Sequence, residues 1–421
     1  MTGTDEATDD AAARHRAAVF WRYWTASTIS GAGDAVTAVA LPLVAVEMLH
    51  ATATDVGWIT AAGFAAWLLI GLPAGVLVHR MPLRRVQVAM DVVRALAIAS
   101  IPVAAWLGAL HLVHLIAVAL VVGLATVVFD VGNSSFLTSV VDKRELTARN
   151  SLMSGTYSAN QTGGPALGGV LVQLLGAAAT LVVDAVSYLA SAVLLRTLPR
   201  GEHEAGGGAD GPMLARIREG WRYVTRHPVM GPSLAAVTAI NFVCGGLLTL
   251  MPVFLVTTLG APPGLVGVLY AAEGAGSLVG AALATKLVNR LGNGPALRLA
   301  ATVTAVAGLL MPMAWHGWGL ILFALGNAGF SAGTIVTSVI TRTHRQAVTP
   351  PELLPRVMAT VRFVSWGAIP FGSVAAGFAA SAWGTRGAFW LVAALAFACP
   401  AVLLAGPIRR LRDLDTAPAA P

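Results

Sequence analysis

Two carboxylates stand where a carboxylate is costly. Asp34 lies deep in the apolar stretch 20–48, and Glu273 lies in the apolar stretch 264–288. On insertion scales an ionised side chain at the centre of a hydrocarbon layer costs about 2.5 kcal/mol or more, so such a group faces a cavity or a partner. There it can take up and release a proton as its surroundings change, or act as counter-ion to a cation. For Asp34 the competing reading is a helix-to-helix hydrogen bond with Ser or Thr hydroxyls. Asp184 has Ser187, Tyr188 and Ser191 beside it and reads as a structural network. A second constellation begins in GLPAGVLVHRMPLRRV, residues 71–86, where Arg80, Arg84 and Arg85 follow an apolar run and His79 precedes them. Asp91 and Arg94 are spaced i,i+3 on one helical face, and Asp130 is placed to reach Arg80 or Arg84. Together these groups read as an electrostatic latch, with Gly75 allowing close approach and the His79 imidazole titrating near ~6.5. Asn160, Gln161, Asn241, Asn327 and Trp366, with Phe242 and Phe363, are candidates either to line a cavity or to pack between helices.

The elements that must position these residues follow from composition. Of 421 residues 56% are hydrophobic and 11% charged, against a charged share of roughly 25% in soluble domains. An ordinary soluble enzyme is excluded. Apolar stretches recur at 20–48, 54–78, 86–109, 113–137, 150–174, 177–196, 233–258, 264–288, 294–314, 317–341, 356–382 and 386–408, and a helix of about 20 residues crosses a hydrocarbon core of about 30 Å. The expected fold is an all-α membrane protein with twelve transmembrane helices. Basic residues gather at alternate loops, among them Arg80, Arg84, Arg85, Arg144, Arg200, Arg290, Arg345 and Arg409, while Arg386 alone falls on the other side. By the positive-inside rule both termini are cytoplasmic, in the cell (inner) membrane. The net charge of +7 is thereby a topology signal and implies no nucleic-acid partner. The opening MTGTDEATDDAAARHR carries no cleavable leader pattern. Cys244 and Cys399 read as small core residues.

The chain also repeats itself. VGWITAAGFAAWLLIGLPAGVLVHR at 56–80 aligns without a gap on VGVLYAAEGAGSLVGAALATKLVNR at 266–290, with ten of 25 positions identical, where composition alone gives roughly two or three. RELTARN at 144–150 and PELLPRV at 351–357 recur at nearly the same offset. The expected organisation is a tail over 1–19, a six-helix half over 20–196, a linker over 197–232, a second six-helix half over 233–408 and a tail over 409–421. The linker contains the flexible GEHEAGGGADG and then MLARIREGWRYV, a short basic amphipathic helix on the inner membrane surface. Two parallel repeats with a site between them form the plan for alternating access.

Several segments resemble the major facilitator superfamily. Its loop signature places Asp-Arg after a glycine and Gly-Arg-Arg/Lys one residue later; here the loop reads Gly75, His79-Arg80, Met81, Pro82, Leu83, Arg84-Arg85, so that His79 replaces the aspartate. GGPALGG at 163–169 resembles the superfamily's antiporter motif through Gly164, Pro165, Gly168 and Gly169. With SGAGDAVTAVALP at 30–42, DVVRA at 91–95, DAVSYLASAVLL at 184–195 and RFVSWGAIPFG at 362–372, the chain is similar to the branch of enterobactin exporters and macrolide-efflux-like permeases. The resemblance implies proton-coupled export of a hydrophobic or amphipathic small molecule, with Asp34 and Glu273 as coupling or substrate residues. A uniporter or importer of a small solute and a non-transporting receptor or scaffold are the alternatives. No GxSxG, HExxH or Walker-type loop supports an enzyme, and no cofactor or metal is expected. The partners implied are a small-molecule substrate, protons and the lipid bilayer, around a monomer.

Overall fold

The computed structural model describes residues 3–71, 81–140, 145–198, 213–350 and 352–414, without the side chains of 3–16, 134–140, 146–147 and 213–217. Among the described residues there is no strand. A backbone in hydrocarbon must satisfy its own N–H and C=O groups, and a helix does this within one segment. The helices are α1 Gly3–Met48, α2 Ala53–Ile70, α3 Leu83–Trp106, α4 Leu112–Val140, α5 Leu146–Leu175 and α6 Ala177–Arg196 in the first half. A linker helix, α7 Met213–Arg226, leads to α8 Met230–Val253, α9 Pro263–Leu291, α10 Asn293–Gly308, α11 Leu320–Val348, α12 Leu354–Leu395 and α13 Ala398–Ala405.

Among the described residues nine helical stretches are long and apolar enough to cross a membrane. The twelve expected spans are reconciled with that number by three local features. Leu354–Ala405 is one such stretch but holds two helices, because Gly384 adopts φ 73° and turns the chain where the sequence places the end of one span and the start of the next. The helix α5 carries too many polar residues to count as apolar, and α10 is only 16 residues long. That last helix was expected over 294–314. Its end tightens into three-residue turns at Leu309 and Leu310, and the chain reaches Trp315 as a turn. The first span, expected from residue 20, runs Ala17–Met48, but the helix that carries it begins already at Gly3, because the Ala, Glu and Arg of the polar opening favour helix and no proline interrupts it.

Local chemistry fixes the helix ends. Thr52 and Asp55 form a reciprocal capping box at the start of α2, with Thr52 N to Asp55 Oδ2 at 2.9 Å. Arg386, the arginine on the wrong side of the charge pattern, donates Nη2 to the Ala314 carbonyl at 2.9 Å and lies 5.4 Å from the Phe254 ring. The loops at 49–52, 107–111, 176, 259–262, 309–319 and 384 lie at one end of the bundle, here called distal. The C-terminal segment meets the α9–α10 turn at the proximal end, with Gly294 N on Arg412 O at 3.0 Å.

The first half packs α1 on α5 and α6, and α3 on α4 and α6. The second packs α8 on α12, and α9 and α10 on α11. Between the halves, α2 meets α12 and α5 meets α9. The linker helix expected from MLARIREGWRYV is present as α7, and it docks on the start of α12 through an Arg356–Glu219 ion pair, with Tyr223 OH donating to Val348 O at 3.1 Å. Beyond it His227 is buried, its Nδ1 accepting from the Val229 and Met230 amides, and its ring lies 5.6 Å from that of His344. Burial, and then the charge of His344, push the His227 imidazole below its usual value. A native pKa below the unfolded one means that folding loses stability as pH falls through about 6.5. Hydrogen exchange at α7 and the start of α8 should therefore accelerate on acidification, and His227→Gln should remove that pH dependence.

Candidate functional site

One buried guanidinium organises the first half. Arg94 on α3 has a side chain only 1% exposed. A cation taken from water needs paired charge and filled hydrogen bonds. Asp91, one turn earlier and 0% exposed, forms an ion pair with it. Asp34 on α1 brings Oδ1 to 3.6 Å from Nη1, and Ser30 Oγ lies 3.4 Å from Nη2. The flat faces of the guanidinium are covered by Phe129 of α4 at 4.3 Å and Tyr188 of α6 at 4.4 Å. Four helices thus converge on a group whose planar shape lysine could not reproduce. Tyr188 OH donates to Asp34 Oδ1, tying the clamp to the carboxylate. Asp184, buried nearby on α6, accepts from Thr37 and Ser187, a hydrogen-bonded setting of the kind read from its neighbours.

Asp34 differs from its partners in access. Its side chain is 43% exposed although it sits mid-helix. Ser27, Gly31 and Asp34 share one face of α1 by their spacing, and Ser27 and Gly31 line a cavity of about 380 Å³ with Asn133, Tyr157 and Asn160. The network therefore holds more carboxylates than cations, and one of the carboxylates, Asp34, is partly exposed one turn from the cavity-lining Gly31.

A second cavity, about 470 Å³, lies between the halves. Trp67, Gly71 and Val131 line it from the first half, and Arg342, Arg345, Arg362 and Trp366 from the second. Arg362 lies 3.9 Å from the Trp67 ring and 4.6 Å from the Trp366 ring, and the two rings meet edge to face at 5.0 Å. Asp130, surrounded by protein yet open at its surface, feels the charges of Asp34, Arg94 and, across the halves, Arg362. Glu273 on α9 is likewise open although deep in the bundle, close enough to Cys244 and Tyr270 for its charge to act on both.

The distal end is sealed. Thr54 Oγ1 donates to Gly377 O at 2.9 Å between α2 and α12, and Gly264 N donates to Gln173 Oε1 at 2.8 Å between α9 and α5. A Cβ on Gly169 would stand 2.6 Å from Gly267 Cα and 2.7 Å from Pro263 O, so this contact requires glycine on both sides. The GGPALGG segment thus spans two interfaces: Gly164 and Gly168 meet Ala35 and Val36 of α1, while Pro165 and Gly169 meet Gly267 of α9. Gly169→Leu should hold the distal seal open. Spin-label distances between the distal ends of α5 and α9 should lengthen, and transport should fall by about tenfold or more.

The other predicted residues are distributed as follows. Gly75, His79 and Arg80 lie outside the described residues. The structure does not bring Arg84 and Arg85 to Asp91 or Asp130. Arg84 donates Nη1 to the Leu198 carbonyl at 2.5 Å, satisfying the end of α6, and Arg85 is exposed. Asp91 and Arg94 belong to the cluster on Asp34, because they sit two turns inside α3 facing α1 and α6. Asn160 donates Nδ2 to Thr28 O at 3.1 Å and lines the smaller cavity; Gln161 donates to Tyr157 OH at 2.9 Å. Asn327 is buried and donates to Leu269 O at 3.1 Å, a packing role between α11 and α9, and Asn241 donates to its own helix at Val237 O. The clamp residues Phe129 and Tyr188, and the Trp67–Arg362 contact, were missed. The i,i+4 spacing of Arg362 and Trp366 was the available signal for the last. Among the described residues no cluster of His, Cys, Asp and Glu could hold a metal.

Against known proteins, a family model described as transmembrane secretion effector matches residues 10–421. The chain is 28% identical over 410 residues to the multidrug efflux pump Tap of Mycolicibacterium fortuitum, covering 93% of this chain and 96% of that one. It is 29% identical over 325 residues to the uncharacterized MFS-type transporter y4rN of Sinorhizobium fredii, 76% of this chain and 78% of that one. In fold it is similar to the crystal structure of the nucleoside transporter NupG, with a TM-score of 0.74 at 10% identity over 93% of this chain and 99% of that one. A bacterial homologue of the iron transporter ferroportin in an inward-facing state superposes with a TM-score of 0.72 at 15% identity, over 92% of this chain and 98% of that one.

Proposed function

The chain belongs to the transmembrane secretion effector family of major facilitator transporters, and from that premise we propose that it exports a hydrophobic or amphipathic small molecule in exchange for protons. The observation that carries this reading is Asp34: a mid-helix carboxylate that is 43% exposed yet tied to Arg94 and Tyr188. When ionised it shares Arg94 with Asp91. A proton on Asp34 cancels its attraction for the guanidinium and loosens the side-chain tie between α1 and α3, while Asp91 keeps the cation paired. Proton occupancy is thus linked to how two helices of the first half hold together, which is the link that coupling requires. Glu273 supplies a second open carboxylate from the other half. The sealed distal end and the cavities on its proximal side correspond to a state loaded from the proximal side, which the basic loops assign to the cytoplasm. The GGPALGG segment works as the flexible, closely packed hinge of the seal. The 28% identity to a multidrug efflux pump supports export. Expression in a host stripped of its own efflux pumps should raise tolerance to some members of a panel of toxic amphiphiles, and a protonophore should abolish that gain. Tolerance unchanged across the panel would remove the export reading.

A further inference from the structure

The wall of the larger cavity carries more positive charge than the first half answers. Arg342 and Arg345 are three residues apart on the proximal end of α11, and Arg362 faces them from α12. The charge of Arg342 acts on both of the others. Arg345 is only 7% exposed, and its Nε, though buried, has no hydrogen-bond partner among the described residues. Unsatisfied donors on a buried cation are costly, and three like charges around one cavity add to that cost. Among the described residues, Asp130 is an acid whose charge reaches Arg362. Arg362 lies against the Trp67 and Trp366 rings, which meet each other edge to face, and contact with a ring face uses none of the hydrogen-bonding capacity of its N–H groups. Guanidinium edges match carboxylate, sulfonate and phosphate oxygens in paired hydrogen bonds. Apart from the hydroxyls of Ser338, Thr341 and Ser365 the remaining lining is apolar and aromatic, including Met358, Phe363 and Trp366, and the volume of about 470 Å³ falls in the range of drug-sized ligands.

We propose that Arg342, Arg345 and Arg362 form a subsite for the acidic group of the transported molecule, so that preferred substrates are anionic amphiphiles with a flat apolar body. The proposal rests on the exporter reading and narrows its substrate class. The arginines receive the anion from the proximal side, and the two indoles and Phe363 receive the apolar body.

Two fluorescent probes sharing one aromatic skeleton test it at equilibrium, without a pH gradient: anilinonaphthalene sulfonate, which is anionic, and phenylnaphthylamine, which is neutral. With the full-length protein in phosphatidylcholine nanodiscs, and empty discs subtracted, the sulfonate should bind saturably. Arg345→Gln should weaken sulfonate binding by about tenfold and leave the amine unchanged. Arg362→Gln should act in the same direction, and rising salt should weaken the sulfonate alone in the wild type, which keeps the test usable where a variant fails to fold. Equal changes for both probes, or none for either, would overturn the subsite. Nanodiscs containing phosphatidylglycerol separate the two sources of anion: undiminished sulfonate binding supports a substrate site, whereas competitive displacement by the lipid assigns the arginines to headgroups and overturns it. Because no gradient is present, a failure of proton coupling leaves these outcomes untouched.

Discussion

Asp34→Asn is expected to lower export driven by a pH gradient by about tenfold or more while leaving the protein folded and able to bind substrate. The substitution is nearly isosteric, and the asparagine Oδ1 can still accept from Tyr188 OH, which donates to Asp34 in the native protein. What disappears is the charge opposite Arg94 at 3.6 Å and the capacity to carry a proton. Because the carboxylate is 43% exposed, water already screens the pair, so its loss costs the fold only about 1 kcal/mol or less. Thermal unfolding should therefore change little, and downhill exchange of substrate should persist. Full gradient-driven transport in Asp34→Asn would remove Asp34 from the coupling mechanism. Glu273→Gln provides the comparison, since Glu273 has no cation paired with it among the described residues. If Glu273 carries the proton, the loss moves to that variant.

Arg94→Met should have the largest effect on stability. The methionine fills much of the volume between Phe129 and Tyr188 but leaves Asp91, 0% exposed, without its cation. Breaking a buried pair from one side costs about 3–5 kcal/mol because the remaining charge is stranded. The second substitution Asp91→Asn should then recover most of the loss, since replacing both partners removes the stranded charge. Arg94→Lys should fall between the two: it retains the charge but cannot present two flat faces to the rings. Thermal unfolding in detergent across Arg94→Met, Asp91→Asn and the double variant measures the coupling directly. Additive losses would mean that Asp91 and Arg94 do not form the stabilising unit described here.

The helices were legible because each apolar run must close its own backbone hydrogen bonds, and the internal repeat located the halves. The ends were less so. The stop at Gly384 depends on one positive φ, whereas the early end of α10 follows from tight turns that hydropathy does not register. At the site, the i,i+3 spacing disclosed the Asp91–Arg94 pair, but not that Asp34 would join it, because α1 and α3 come within side-chain reach only through their common packing on α6. The loop arginines drew Asp91 and Asp130 toward a latch on charge pattern alone. In the fold, Arg84 instead finds a carbonyl at the end of α6, and Asp130 feels an arginine from the opposite half. Trp67 and Arg362 are far apart in sequence and meet only because α2 and α12 pack across the halves.

Reconstitution into liposomes loaded with a pH-sensitive dye tests the central claim most directly. With a pH gradient imposed, addition of a substrate identified in the tolerance screen should make wild-type protein carry protons across the membrane in step with substrate moving the other way, and Asp34→Asn should sever the two movements. Substrate transport by the wild type with no accompanying proton movement would contradict the account.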